Sequence, residues 1–268
     1  MGLYSDFETG TSYVYLQKIV EILNEPICVL GGWAVYFTVN VAFRKDQGRN
    51  YIGSRDIDLG FHLNKNLTKH QLKSSTIGNT FTLLEKQGFK PLGFRYYKDI
   101  HVETGKELTS EQSAKTPTHD IFQIYIDPIV NEVHPLFREV FRFDPVDEPL
   151  LSYVFQDKNY RTELIEFNKH LWLPTPEILL ATKLKSVCNR TKDEKLIKDI
   201  CDIYVLSWYS PKKFHQLKHD VHRLIDGLEE ISARVQSEDL FKKAEIALGI
   251  EAKAIKNIFV QLLKLYKG

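Results

Sequence analysis

Two stretches of the chain bring together residues that can handle phosphate and metal. In Ile27-Cys28-Val29-Leu30-Gly31-Gly32-Trp33-Ala34-Val35 a short apolar run meets a glycine pair and then a second apolar run. Without a Cβ, Gly31 and Gly32 let backbone N–H groups approach an anion, and a helix starting near Trp33 adds unpaired donors and a positive dipole end. In Ser54-Arg55-Asp56-Ile57-Asp58-Leu59-Gly60-Phe61 the two aspartates lie two apart in an otherwise apolar run. On a strand both carboxylates leave the same face. Aspartate is a poor strand residue, and two such charges at the edge of a core repel unless a cation neutralises them. Mg²⁺, or Mn²⁺ in its place, held by carboxylates and substrate phosphates is the usual solution. Gly-Gly alone also makes ordinary tight turns, and Asp-x-Asp alone also ends solvated strands, so the order carries the argument: strand, Gly-Gly, helix, polar loop, Asp-x-Asp strand.

That order resembles the nucleotidyltransferase superfamily that includes DNA polymerase beta, whose signature is Gly-Gly or Gly-Ser followed by an Asp-x-Asp strand. The resemblance implies that Gly31, Gly32 and Ser54 bind the triphosphate and that Asp56 and Asp58 hold metal. It also implies a third carboxylate on a later strand. Asp127, in Asp120-Ile121-Phe122-Gln123-Ile124-Tyr125-Ile126-Asp127-Pro128, fits that place, where it would share a metal and draw the proton from the attacking hydroxyl. Asp120 is the fallback, and the alternative for Asp127-Pro128 is a turn opening. Pro128 itself predicts that the strand lies at an edge or ends there.

Further along, Lys183-Leu184, Arg190 seven residues after the lysine, and Lys198-Asp199-Ile200-Cys201-Asp202 resemble the Lys-Leu, Arg and Lys-Asp-x-x-Asp pattern of AbiEii-type nucleotidyltransferases, many of them toxins of toxin–antitoxin pairs. The resemblance implies that Lys183 or Arg190 meets the triphosphate and that Asp199 or Asp202 orients it. On helices, Lys183 and Arg190 share a face, and Asp199 and Asp202 are i, i+3 neighbours. The competing reading is a pair of salt-bridged helices, with Lys195–Asp199 and Lys198–Asp202 as i, i+4 partners. The chain departs from the pattern at Ile52, where many relatives carry a basic residue; Arg49 or Arg55 would have to replace it.

A helix within 11–23 is predicted by Leu16, Ile19, Val20 and Leu23, starting at Thr11 or Ser12. A short strand at 27–30, a helix at 76–87 and strands at 94–102 and 121–130 follow, with 103–118 as loop or hairpin. Leu151 to Phe155 and His170 to Leu173 read as strands. From Pro176, a proline at a helix start, the chain turns helical, with further helices near 194–208, 211–232, 238–247 and 251–266. The expected fold is α/β: a nucleotidyltransferase domain with a central mixed sheet over 1–172, then a mostly helical domain over 173–268.

Composition sets the outer bounds. At 268 residues and 43% hydrophobic content the chain can bury a sizeable core. A net charge of +1 gives no global nucleic-acid footprint, although residues 1–150 are acidic (16 Lys and Arg against 19 Asp and Glu) and 151–268 basic (20 against 16). Cys28, Cys188 and Cys201 have no metal-ligand spacing and read as buried thiols of a reducing, cytoplasmic protein. The first ten residues have no signal-peptide pattern. Residues 27–43 carry no charge, yet Gly31-Gly32, Thr38 and Asn40 favour a buried strand and helix over a membrane span.

The expected activity is transfer of an NMP from an NTP such as ATP to an acceptor hydroxyl, with pyrophosphate released. The acceptor class stays open between tRNA, other RNA and protein, with a cognate antitoxin as a possible partner in the toxin-like case. Small-molecule acceptors of the antibiotic-modifying kind, or a non-catalytic module binding nucleotide or partner, are the alternatives.

Overall fold

In the computed structural model, which describes residues 3–235 and 237–264, the chain divides into two units. One comprises Tyr4–Trp33 and Ile52–Pro174; the other comprises Leu3, Ala34–Tyr51 and the described residues between 175 and 264.

The first unit is built on a sheet. Helix α1 (Asp6–Ile22) is followed by β1 (Ile27–Val29), and helix α2 (Gly31–Gln47) begins in this unit and ends in the other. Then come β2 (Asp56–Phe61), helices α3 (Lys69–Lys73) and α4 (Thr76–Lys86), β3 (Lys90–Leu92), β4 (Arg95–His101), helix α5 (Ser110–Lys115) and β5 (Ile121–Val130). The unit closes with α6 (Phe137–Phe141), β6 (Val146–Asp147), α7 (Leu151–Gln156), β7 (Arg161–Glu166) and β8 (Lys169–Pro174). The strand order is β3-β4-β5-β2-β1-β8-β7, with β6 beside the end of β5. The sheet is mixed: β2 runs parallel to β5 and β1 parallel to β8, whereas β1–β2, β4–β5 and β7–β8 are antiparallel. This is the expected α/β architecture with a central mixed sheet, and the C-terminal region is helical.

The second unit packs the far part of α2 with α8 (Pro176–Asn189), α9 (Asp193–Tyr209), α10 (Phe214–Leu224), α11 (Leu228–Arg234), α12 (Glu238–Leu248) and α13 (Ala252–Leu263). Helix α9 is buried nearly all round, with Ile200, Ile203, Val205 and Leu206 fully enclosed. None of the described helices is long and apolar enough to cross a membrane.

Several elements differ from the sequence expectation. Helix α1 starts six residues before Ser12, because Ser5 and Glu8 form a capping box that satisfies two orphan donors. Residues 151–156 are helical: Leu151 and Val154, one turn apart, share the buried face. The predicted helix over 211–232 is two helices, broken where Gly227 takes φ +76. Within 103–118 the chain makes the short helix α5, capped by Thr109 and Gln112. Strand β5 does not end at Pro128 and is not an edge. It runs to Val130 between β4 and β2, and proline is tolerated because the β4 ladder stops at Ile126. Arg190 does not lie on the helix face of Lys183; it is the extended cap residue after α8.

Candidate active site

The glycine pair forms the first turn of α2 itself rather than a turn ahead of it. Gly31 has φ +58, a left-handed conformation that L side chains rarely adopt. A Cβ there would stand 1.8 Å from Asp58 Oδ2 and 2.6 Å from its Cγ. Asp58 therefore lies directly against the start of α2, and only glycine leaves it that room. Two further contacts fix the turn. Leu30 N donates to Asp58 O at 2.9 Å, and the buried Trp33 donates from Nε1 to Ser12 Oγ at 3.0 Å, tying the first turn of α2 to α1.

On β2 the alternation is clean. Ile57 and Leu59 are buried on one face while Asp56 and Asp58 are half-buried on the other. The parallel register with β5 pairs Asp56 with Tyr125 and Asp58 with Asp127. Paired residues of adjacent strands point to the same side, ~4.8 Å apart, so Asp56, Asp58 and Asp127 share one face. Asp120 ends the turn that precedes β5, at the opposite end of that strand from Asp127. Ser54 is buried two residues before β2.

Asp127 is buried, and Arg95 Nη2 meets its Oδ2 at 2.6 Å. The Arg95 guanidinium lies over the Tyr125 ring, 4.4 Å from its centroid. Nothing local in the sequence marks Arg95, because its partner is 32 residues away and the two meet only through the β4–β5 register. The same face continues through Tyr125, which donates to Gln123 Oε1, and Gln123, whose Nε2 donates to Asp99 Oδ1 at 2.9 Å.

Asp56 and Asp58 fit a hard divalent cation in chemistry and placement: two carboxylates on one strand face beside a side-chain-free helix start. Mg²⁺ is commonly held by one or two carboxylates with the rest of its shell from phosphates and water. Asp127 is adjacent but engaged by Arg95. Among the described residues no group of three or more His, Cys, Asp or Glu is arranged to hold a metal ion.

The second motif assembles by itself within the helical unit. Lys183 Nζ is 2.9 Å from Asp199 Oδ1 and 2.7 Å from Asp202 Oδ2; Arg190 Nε is 2.5 Å from Asp199 Oδ2. Ser186 Oγ donates to Asp199 Oδ2 at 2.9 Å, Tyr51 OH donates to Asp202 Oδ1 at 2.6 Å, and Lys198 Nζ is 2.5 Å from the same oxygen. Of the expected i, i+4 pairs, Lys198–Asp202 is present, and Asp199 is held by Lys183 and Ser186 of α8 and by Arg190 at its cap. Burial alone would raise the Asp199 carboxyl, but Lys183 and Arg190 outweigh it and hold it down to about 2. Burial would likewise lower Lys183, and its two aspartates reverse that, keeping it above the ordinary lysine value. Tyr51 and Ser186 carry no motif signal; they enter the network only through packing.

No family model matches the sequence, and no curated protein matches it. Among solved structures the chain is similar to the crystal structure of an antigenic nucleotidyltransferase-like protein from Paracoccidioides brasiliensis, with TM-score 0.37 and 16% identity over 88% of this chain and 97% of that chain. At that level no residue role passes from that protein to this one.

Proposed function

We propose that the chain is a metal-dependent nucleotidyltransferase that moves an NMP from an NTP to an acceptor hydroxyl, acting on RNA or protein in the manner of a toxin. The observation that carries this reading is Gly31 against Asp58: a left-handed glycine opening a helix, with no space for any side chain, beside a carboxylate that shares its strand face with Asp56. A solvated strand end has no need of such a fit.

In this reading Asp56 and Asp58 hold Mg²⁺ or Mn²⁺. When bound, the ion stabilises charge on the attacking and leaving oxygens of the displacement. The start of α2 offers backbone N–H groups to the phosphates, with Ser54 as a further phosphate contact. The Asp127 carboxylate takes the proton of the acceptor hydroxyl, which needs its Oδ atoms within hydrogen-bond reach of that oxygen. Within the helical unit Arg190, at 31% side-chain exposure, is the most exposed of the second motif's ion-paired residues, and Asp199, at 1%, holds it.

A second reading, a module that binds nucleotide or a protein partner without turnover, is favoured by one fact: Asp127, Lys183, Arg190, Asp199 and Asp202 are all ion-paired within their own units. The test is a transfer screen with α-labelled NTPs against tRNA, total protein and aminoglycosides, in Mg²⁺ or Mn²⁺ and in EDTA. Label on RNA or protein that vanishes in EDTA is expected. Label on aminoglycosides alone would move the acceptor to small molecules, and tight NTP binding without label on anything would leave the non-catalytic module.

A further inference from the structure

Arg95 opens β4 and, one step beyond the Tyr96–Ile126 pair, stands opposite Asp127. The ion pair it makes is mostly enclosed, with the arginine side chain 17% exposed and the aspartate 10%. Its planar face rests on two rings, 4.4 Å from the Tyr125 centroid and 4.7 Å from that of Phe94. Its Nε is buried and makes no hydrogen bond. A guanidinium carries five donors in a rigid fork that matches a phosphate at two points, so the contact with Asp127 leaves part of that fork unused.

The charge balance gives this arrangement meaning. Asp56, Asp58 and Asp127 share one face of two adjacent strands, and like charges so close disfavour one another. In the protein alone, Arg95 supplies the positive charge that offsets Asp127. A divalent cation brought by a nucleotide would repel that guanidinium, while the phosphates, with more negative charge than one carboxylate, would attract it. The ring contacts depend on distance from the ring face rather than on one fixed hydrogen-bond geometry, so the head group can shift without leaving them.

We propose that Arg95 is a positioning residue for Asp127: in the nucleotide-free protein it holds the carboxylate in place of a cation, and on nucleotide binding it passes to the phosphates. The inference rests on the nucleotidyltransferase reading above.

The test measures Mn²⁺ binding to nucleotide-free protein by electron paramagnetic resonance, and ATP binding in Mn²⁺ by calorimetry. Arg95→Ala is expected to bind Mn²⁺ roughly tenfold more tightly than the unchanged protein, because a positive charge beside the site is gone. The gain should disappear in Arg95→Ala combined with Asp127→Asn. ATP affinity should fall roughly tenfold in Arg95→Ala and also in Arg95→Lys, which keeps the charge and loses the fork. A merely structural arginine would move the melting temperature and, through its charge alone, Mn²⁺ affinity, but would leave ATP affinity in Mn²⁺ unchanged in Arg95→Lys. Unchanged or weaker Mn²⁺ binding by Arg95→Ala overturns the proposal; if that variant does not fold, undiminished ATP affinity in Arg95→Lys overturns it instead. An unchanged protein that binds neither Mn²⁺ nor ATP removes the nucleotidyltransferase reading itself, which is a different outcome from normal binding that Arg95 does not influence.

Discussion

Gly31 and Asp58 occupy adjoining space so closely that the carboxylate fills the position of the missing side chain, 1.8 Å from where a Cβ would be. Gly31→Ala should therefore fail twice, once through its φ of +58 and once by displacing Asp58. Gly48 makes the matched control, since it has φ +69 with nothing within 4 Å of an added Cβ. Gly48→Ala should cost about 1–2 kcal/mol of stability, the usual penalty for a left-handed non-glycine residue, and leave nucleotide binding alone. Gly31→Ala should cost more stability and abolish metal-dependent NTP binding. Chemical denaturation and calorimetry on the two variants check this, and equal effects would remove the special fit at Gly31.

Asp56→Asn and Asp58→Asn should each lower transfer on the order of a hundredfold or more, the scale at which groups stabilising transition-state charge act. Both carboxylates are half-buried on a strand face that carries like charge, so neither change should lower the melting temperature by more than a few degrees. Initial rates with labelled NTP, set beside thermal melts, separate the two effects. A variant that keeps its rate is not a metal ligand.

The buried network on α8 and α9 predicts a stability change in acid. Asp199 is held down to about 2, below its value in an unfolded chain, so its contribution is present above pH ~4 and lost as pH falls towards 2. The loss is on the order of 2 kcal/mol. It should be missing from Asp199→Asn, whose stability should be lower throughout but flatter over that window. Lys183→Ala leaves two buried aspartates short of a cation and should cost about 3–5 kcal/mol, far more than an exposed helix pair. Urea unfolding between pH 5 and pH 2 is the measurement.

Thiol chemistry should sort the cysteines by burial. Cys28 is fully buried and pushed up to about 12 by that burial, and Cys201 is buried and raised as well, but the expectation of a buried thiol fails at Cys188, near the end of α8, which is only partly covered. Because the thiolate is the reactive form, a maleimide at pH 7.5 should label Cys188 alone in the native protein and all three after denaturation. Intact-mass spectrometry reads this directly, and rapid native labelling of Cys28 would contradict the packing of β1.

Much of the sheet was legible because its signals are local. The Asp-x-Asp alternation placed β2, and the run from Ile121 to Val130 placed β5 to the residue. The start of α1 is encoded in the Ser5-x-x-Glu8 box, whereas the apolar spacing alone points to Thr11 or Ser12. Strand β7 was harder to see: Arg161-Thr162-Glu163-Leu164-Ile165-Glu166 has little apolar content because it pairs on one side only, with β8. The site divides in the same way. Gly31, Asp56 and Asp58 carry their chemistry in a short spacing, while Arg95 with Asp127 and Tyr51 with Asp202 meet across 32 and 151 residues. Such pairs follow from register and packing, which spacing alone does not encode.

The strand order also bears on how the protein survives at high concentration. A sheet that ends in two open flanks invites a further chain to add on and begin an aggregate. Here one flank is β3, three residues long with Pro91 at its centre, and proline offers no N–H to an incoming strand. The other is β7, a six-residue strand that carries Glu163 and Glu166 beside the exposed Ile165. Each end thus carries its own deterrent to fibre growth, a missing donor on one side and fixed charge on the other, and Ile165 is the weak point through which a charge-stripped variant would first self-associate.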